Sequence, residues 1–149
     1  MRLSIVAAIA LVASALLAGC ATSGPRFTEM GSAMNPTPAP GTGRIYFYRT
    51  AVLGAAVQPD VRLNGDVVGK AVPRGFFFVD RPPGNCEVTT STEVERKLTF
   101  TLEPDQVRYV RLNISMGLFV GHVYGELVDE AKGASEIASM RYVGQSPKP

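Results

Sequence analysis

Nucleophilic catalysis needs a nucleophile, a base and a group that orients the base. The 149-residue chain offers two cysteines, Cys20 and Cys86, and a single histidine, His122. A Cys86–His122 pair is conceivable, but nothing in the sequence places the two together, and no G-x-S-x-G stretch is present. Zinc takes three or four His, Cys or carboxylate ligands, which this inventory does not supply. Calcium takes clustered oxygens. "ELVDEAKG" holds Glu126, Asp129 and Glu130 without the spacing of a calcium loop, and reads as a solvated turn after a strand. Walker and Rossmann glycine patterns are absent too. The expectation is no catalytic residue, no metal and no cofactor, hence no enzyme.

Binding chemistry is better represented. In "RIYFYR", Ile45 and Phe47 alternate against Tyr46 and Tyr48. If the first pair faces a core, the tyrosines face outward beside Arg44. Tyrosine and arginine on a flat sheet stack on sugar rings or on a protein partner. The plainer alternative is that a second layer, the linker or an edge loop covers them.

The N-terminus decides where such a face would be displayed. "MRLSIVAAIALVASALLAGC" has a basic Arg2, an uncharged apolar run from Leu3 to Ala18 and a small-residue end. That is a secretory signal, to be left out of fold reasoning. The run is short for a membrane span and has no basic flank behind it. Its end, Leu17-Ala18-Gly19-Cys20, resembles the bacterial lipobox. The resemblance implies a lipid on the Cys20 thiol, cleavage before Cys20 and acylation of the new N-terminus. Two or three acyl chains anchor stably, at about 0.8 kcal/mol per buried methylene. Ala21 rather than Asp after the cysteine favours the outer membrane, by similarity to enterobacterial sorting rules.

Residues 1–19 then form the leader, and about 130 residues remain, the size of one domain. The formal charge of +2 falls by one with Arg2, so no basic field points to nucleic acid. With Cys20 lipidated, Cys86 has no partner within the chain. It pairs between molecules, reacts as a free thiol, or fills a core as a small hydrophobe. Its alternation with Val88 and Thr90 favours burial.

Residues 21–43, rich in proline and glycine and without a period, read as a linker. As a coil it would hold the domain on the order of 25 Å from the bilayer. A short helical element around Phe27 to Met34 is weakly signalled.

From Arg44 onward the period is two. Asn64-Gly65 lies between apolar runs, the signal of a type I′ hairpin. "GFFFVD" is a compact strand closed by "RPPG". Cys86, Val88 and Thr90 share one face, as do Leu98, Phe100 and Leu102, and Val110, Leu112 and Ile114. Turn signals roughly every 8 to 12 residues predict an antiparallel β-sandwich of about seven or eight short strands over residues 44–143, with a tail at 144–149.

"SMGLFVGHVYGELV" fits this frame least well. Gly117, Gly121 and Gly125 fall four apart, with apolar residues at helical spacing around them. Three interior glycines would cost a helix about 1 kcal/mol each. The preferred reading is a bent connection or bulged hairpin from Gly117 to Gly125, with Glu126 to Val128 returning to the sheet. The Leu118-Phe119-Val120 tip is then either a docking knob or core.

"RIYFYR", "PDVRLNGDVVG", "GFFFVDRPPG", "MGLFVG" and "ELVDEAKGASEI" together resemble the bacterial family known as domain of unknown function 2846. The "VRLNGDVVG…PPGNCEV" core is also similar to the PEGA-type surface module, a small β-sandwich. Cys86 stands where that pattern has a polar residue such as His. The resemblances imply a sandwich, often in lipoproteins and secreted proteins, and a strand at "ELVDE", but no activity. The functional expectation is a membrane-anchored envelope lipoprotein, periplasm-facing, presenting an interaction or structural module to an envelope protein. The alternative is a module for peptidoglycan or surface glycan through Arg44, Tyr46 and Tyr48. The sequence carries no signal of oligomeric state.

Overall fold

The computed structural model describes residue 22 and residues 24–117 and 121–144. The leader, the lipobox at Leu17 to Cys20, the Leu118-Phe119-Val120 tip and the end of the tail lie outside the described residues.

The described residues form nine strands in two sheets. They are β1 (Gly43–Tyr48), β2 (Asp60–Leu63), β3 (Asp66–Lys70), β4 (Gly75–Arg81), β5 (Gly84–Thr90), β6 (Glu93–Leu102), β7 (Val107–Met116), β8 (Gly121–Val128) and β9 (Arg141–Tyr142). One sheet runs β8-β7-β1-β4-β9, the other β3-β2-β5-β6. The all-β sandwich is the predicted architecture. It departs from the prediction in having nine strands and one mixed sheet, since β1 pairs parallel with β7 and β4 with β9.

The period-two runs bury the faces assigned to them. Ile45, Phe47, Phe77, Val88, Val110 and Leu112 are all buried between the sheets. Phe47 stacks on Phe77 across a register pair, with centroids 5.1 Å apart. The β2–β3 hairpin turns at Asn64 (φ 52°) and Gly65 (φ 91°), the two positive values that a type I′ turn needs.

The glycines at the end of the chain have a packing role. β7 and β8 form an antiparallel hairpin, and β8 resumes at Gly121 rather than at Glu126. Gly121 and Gly125 therefore lie inside a strand, which corrects the long bent connection. A β-carbon on Gly125 would come within 3.1 Å of Val110, 3.3 Å of Leu98 and 3.4 Å of Val88. The missing side chain lets the opposite sheet close on β8. Thr90 and Thr92 stitch that approach. Thr90 Oγ1 donates to the Val123 carbonyl (2.5 Å), and the Val123 amide donates to Thr92 Oγ1 (3.0 Å).

A third layer covers the outer face of the five-stranded sheet. Helix α1 (Glu130–Ile137) lies there, capped by Asp129, whose carboxylate accepts from the Lys132 amide. "DEAKG" is thus a helix start, not a solvated turn, and the strand implied for "ELVDE" ends at Val128. A 3₁₀ turn, Phe27–Glu29, lies beside the helix. Among the described residues, no helix is long and apolar enough to cross a membrane.

Residues 24–43 are not a spacer but a strap docked on the body of the domain. The Phe27 amide donates to the Met140 carbonyl, and the Tyr142 amide to the Pro25 carbonyl. Phe27 meets Tyr46 and Phe76 edge to face, at 5.8 and 5.5 Å, and Met30 and Met34 pack on the core. Proline and glycine suppress regular structure here without preventing docking, because scattered Phe and Met side chains carry the contact.

Candidate functional site

Arg44, Tyr46 and Tyr48 do not form a surface. All three are buried, because the N-terminal strap and α1 lie over them. Arg44 grips the half-buried Asp80 with two charge-assisted bonds, Nε to Oδ1 at 2.6 Å and Nη2 to Oδ2 at 2.7 Å. Its Nη1 donates to Asn35 in the strap, and its guanidinium lies 4.1 Å from the Phe78 ring centroid. Tyr46 stacks on Tyr109 at 5.2 Å. The Tyr48 hydroxyl donates to Glu136 of α1, and burial together with this carboxylate pushes its pKa up. Arg111 joins the cluster through Glu136 (3.0 Å) and Glu126 (2.7 Å). The group fastens the third layer to the sheet.

Cys86 is a buried free thiol at the start of β5, and burial raises its pKa. His122 binds the Thr92 carbonyl through Nδ1 at 2.8 Å, beyond the other end of β5. Thr90 lies four positions along the strand from Cys86, roughly 13 Å away. The two side chains are not brought together. Glu126 is held by Arg111 and Asn113, which lower its pKa, and Asp129 caps α1. Among the described residues no group of three or more His, Cys, Asp or Glu side chains could hold a metal.

What the sequence did not reveal lies at one end of the sandwich. Arg49, just past β1, is fully buried, and among the described residues no carboxylate is bonded to it. Its Nη1 donates to the carbonyls of Val57 (2.6 Å) and Ala71 (3.0 Å). Nη2 donates to those of Leu53 (2.7 Å) and Gly54 (3.1 Å). The loop from Thr50 to Pro59 is folded round this one guanidinium and holds Val52 and Leu53 out in solvent, 59% and 66% exposed.

Beside the loop is an open cleft of about 790 Å³, lined by Thr22, Val52, Ala55, Arg26, Arg74 and Arg141 among others. The strap delivers Arg26, the turn into β4 delivers Arg74, and β9 delivers Arg141. Arg141 Nη1 donates to the Gly24 carbonyl. No ion pair engages any of the three guanidinium groups among the described residues. They come from segments 48 and 67 residues apart. No local pattern could have grouped them.

The family model described as protein of unknown function (DUF2846) matches residues 39–123. A Haemophilus influenzae protein described as uncharacterized is 26% identical over 128 residues, which is 84% of this chain and 76% of that one. The N-terminal domain of AlgF from P. aeruginosa is 20% identical, with a TM-score of 0.38, over 59% of this chain and 96% of that domain.

Proposed function

The chain belongs to the DUF2846 family, and from there we propose that it is a lipid-anchored envelope lipoprotein, periplasm-facing and held in the outer membrane. Its sandwich serves as an interaction and structural module for another envelope component. The observation that carries the anchor is Leu17-Ala18-Gly19-Cys20 closing an uncharged apolar run. The module reading is supported by where the charged side chains are spent. Arg44, Arg49 and Arg111 all hold layers or loops together. Exposed Val52, Leu53 and Met116 are left for contact. A glycan site built on Arg44, Tyr46 and Tyr48 has no open face to use, since the strap covers it.

The test is metabolic labelling with radioactive palmitate. The full chain is expected to take up label and to fractionate with membranes, and Cys20→Ala to lose both. Persistent labelling of Cys20→Ala would refute lipidation at that residue.

A further inference from the structure

We propose that the end of the sandwich carrying Arg26, Arg74, Arg141, Val52 and Leu53 lies directly on an anionic phospholipid surface, so that the protein is seated on its membrane and not suspended above it. This rests on the anchor reading for Cys20.

The chain between the anchor and the domain is short. Thr22 is bound to the body: its Oγ1 donates to the Pro73 carbonyl at 3.0 Å. Only Ala21 stands between Thr22 and Cys20. Two residues of fully extended chain reach about 7 Å. An acyl group on Cys20 therefore enters the bilayer beside Pro73, and whatever surrounds Pro73 is at headgroup level. Arg74 follows it in sequence, and Arg26 and Arg141 line the same cleft as Thr22. A free linker of the expected kind would have left the orientation of the domain open.

Juxtamembrane arginines attract anionic headgroups, and apolar side chains beside them enter the interface. This end has both. Arg26 and Arg74 are exposed and Arg141 is half-buried. Met116, 62% exposed, closes β7 at the same end as Val52 and Leu53, since β7 runs parallel to β1. Of the carboxylates nearby, Asp60 pairs with Lys70, while Glu29 and Glu93 accept from the backbone amides of Arg26 and Arg96. The opposite end, with Asn64-Gly65 and Gly84, would point into the periplasm.

The chain contains no tryptophan, so one added indole is an unambiguous probe. Leu53→Trp and, as the distal control, Asn64→Trp are made in the full chain, isolated after palmitate labelling and reconstituted into vesicles. The vesicles contain phosphatidylethanolamine and brominated phosphatidylglycerol. Strong bromine quenching at position 53 and none at position 64 is the expected result. Adding Arg26→Gln and Arg74→Gln is expected to lower the docked-to-undocked ratio by about fivefold per arginine while palmitate incorporation is unchanged. A labelled, vesicle-bound chain with neither position quenched would overturn the docking and leave the anchor standing. An unlabelled chain that stays off the vesicles would overturn both.

Discussion

Arg49→Met is the sharpest test of how this end of the molecule is built. Methionine keeps much of the length of the side chain and removes the charge and all donors. Four carbonyls lose the guanidinium: Val57, Ala71, Leu53 and Gly54, of which Gly54 keeps a bond from the Val57 amide. Each hydrogen bond from a charged group contributes about 1.5–3 kcal/mol net. Their sum overstates the loss, because burying a guanidinium without a counter-ion costs several kcal/mol, and the substitution relieves that cost. Burial indeed lowers the pKa of Arg49. A buried salt bridge can be swapped for hydrophobes because both charges leave. Here the acceptors are backbone and stay. The Ala71 carbonyl is buried at the bond and would remain unpaired, at about 1–3 kcal/mol. The bonds to Val57, Leu53 and Gly54 are only part-buried, so losing them costs less. The expected loss is about 2–4 kcal/mol, a large share of the stability of a domain this size. In urea that moves the midpoint down by about 1–2 M with an unchanged slope. Hydrogen exchange should show Val57, whose amide donates to Gly54, among the amides that lose most protection. Arg49→Lys keeps a charge and fewer donors and should fall between. A loss below about 1 kcal/mol for Arg49→Met, with the loop amides still protected, would show that the guanidinium does not hold the loop.

Gly133→Ala should destabilise by about 1–2 kcal/mol, because its β-carbon would enter the Tyr109 ring and overpacking exceeds the gain in helix propensity; thermal unfolding checks the sign. The Cys86 thiol, buried with a raised pKa, should react with a thiol reagent at neutral pH only after denaturant is added. Glu126 is held below its ordinary pKa by Arg111 and Asn113. Its contribution is therefore fully present above the unfolded carboxylate value near 4.5 and is lost as pH falls through the folded value. Glu126→Gln should flatten that part of the stability curve between pH 5 and pH 3, measured by urea titrations at each pH.

Alternation made the sandwich legible. Wherever one strand face meets a core, period two appears in the residues themselves, as at Leu98, Phe100 and Leu102. It misled at β1, where both faces are buried and Tyr46 and Tyr48 look like a solvent face. Their cover comes from Phe27, Met30 and α1, whose packing against β1 no local pattern announces. The Asp129 cap with Glu130 behind it was readable as a helix start, yet its three carboxylates drew attention as a cluster. The basic cleft was illegible in principle, since proximity of Arg26, Arg74 and Arg141 exists only after the strap and β9 have docked. Arg49 looked like one more charge at a strand end.

Amide hydrogen exchange at two positions distinguishes a strap from a spacer over residues 24–43. The Phe27 amide donates to Met140 and the Tyr142 amide to Pro25. Both should exchange slowly, with protection lost together in the Phe27→Ala chain while Phe47 stays protected. Exchange of the Phe27 amide at the rate of a free peptide, in a chain whose β1 is protected, would show a spacer and remove the ground for the proposed membrane-facing orientation.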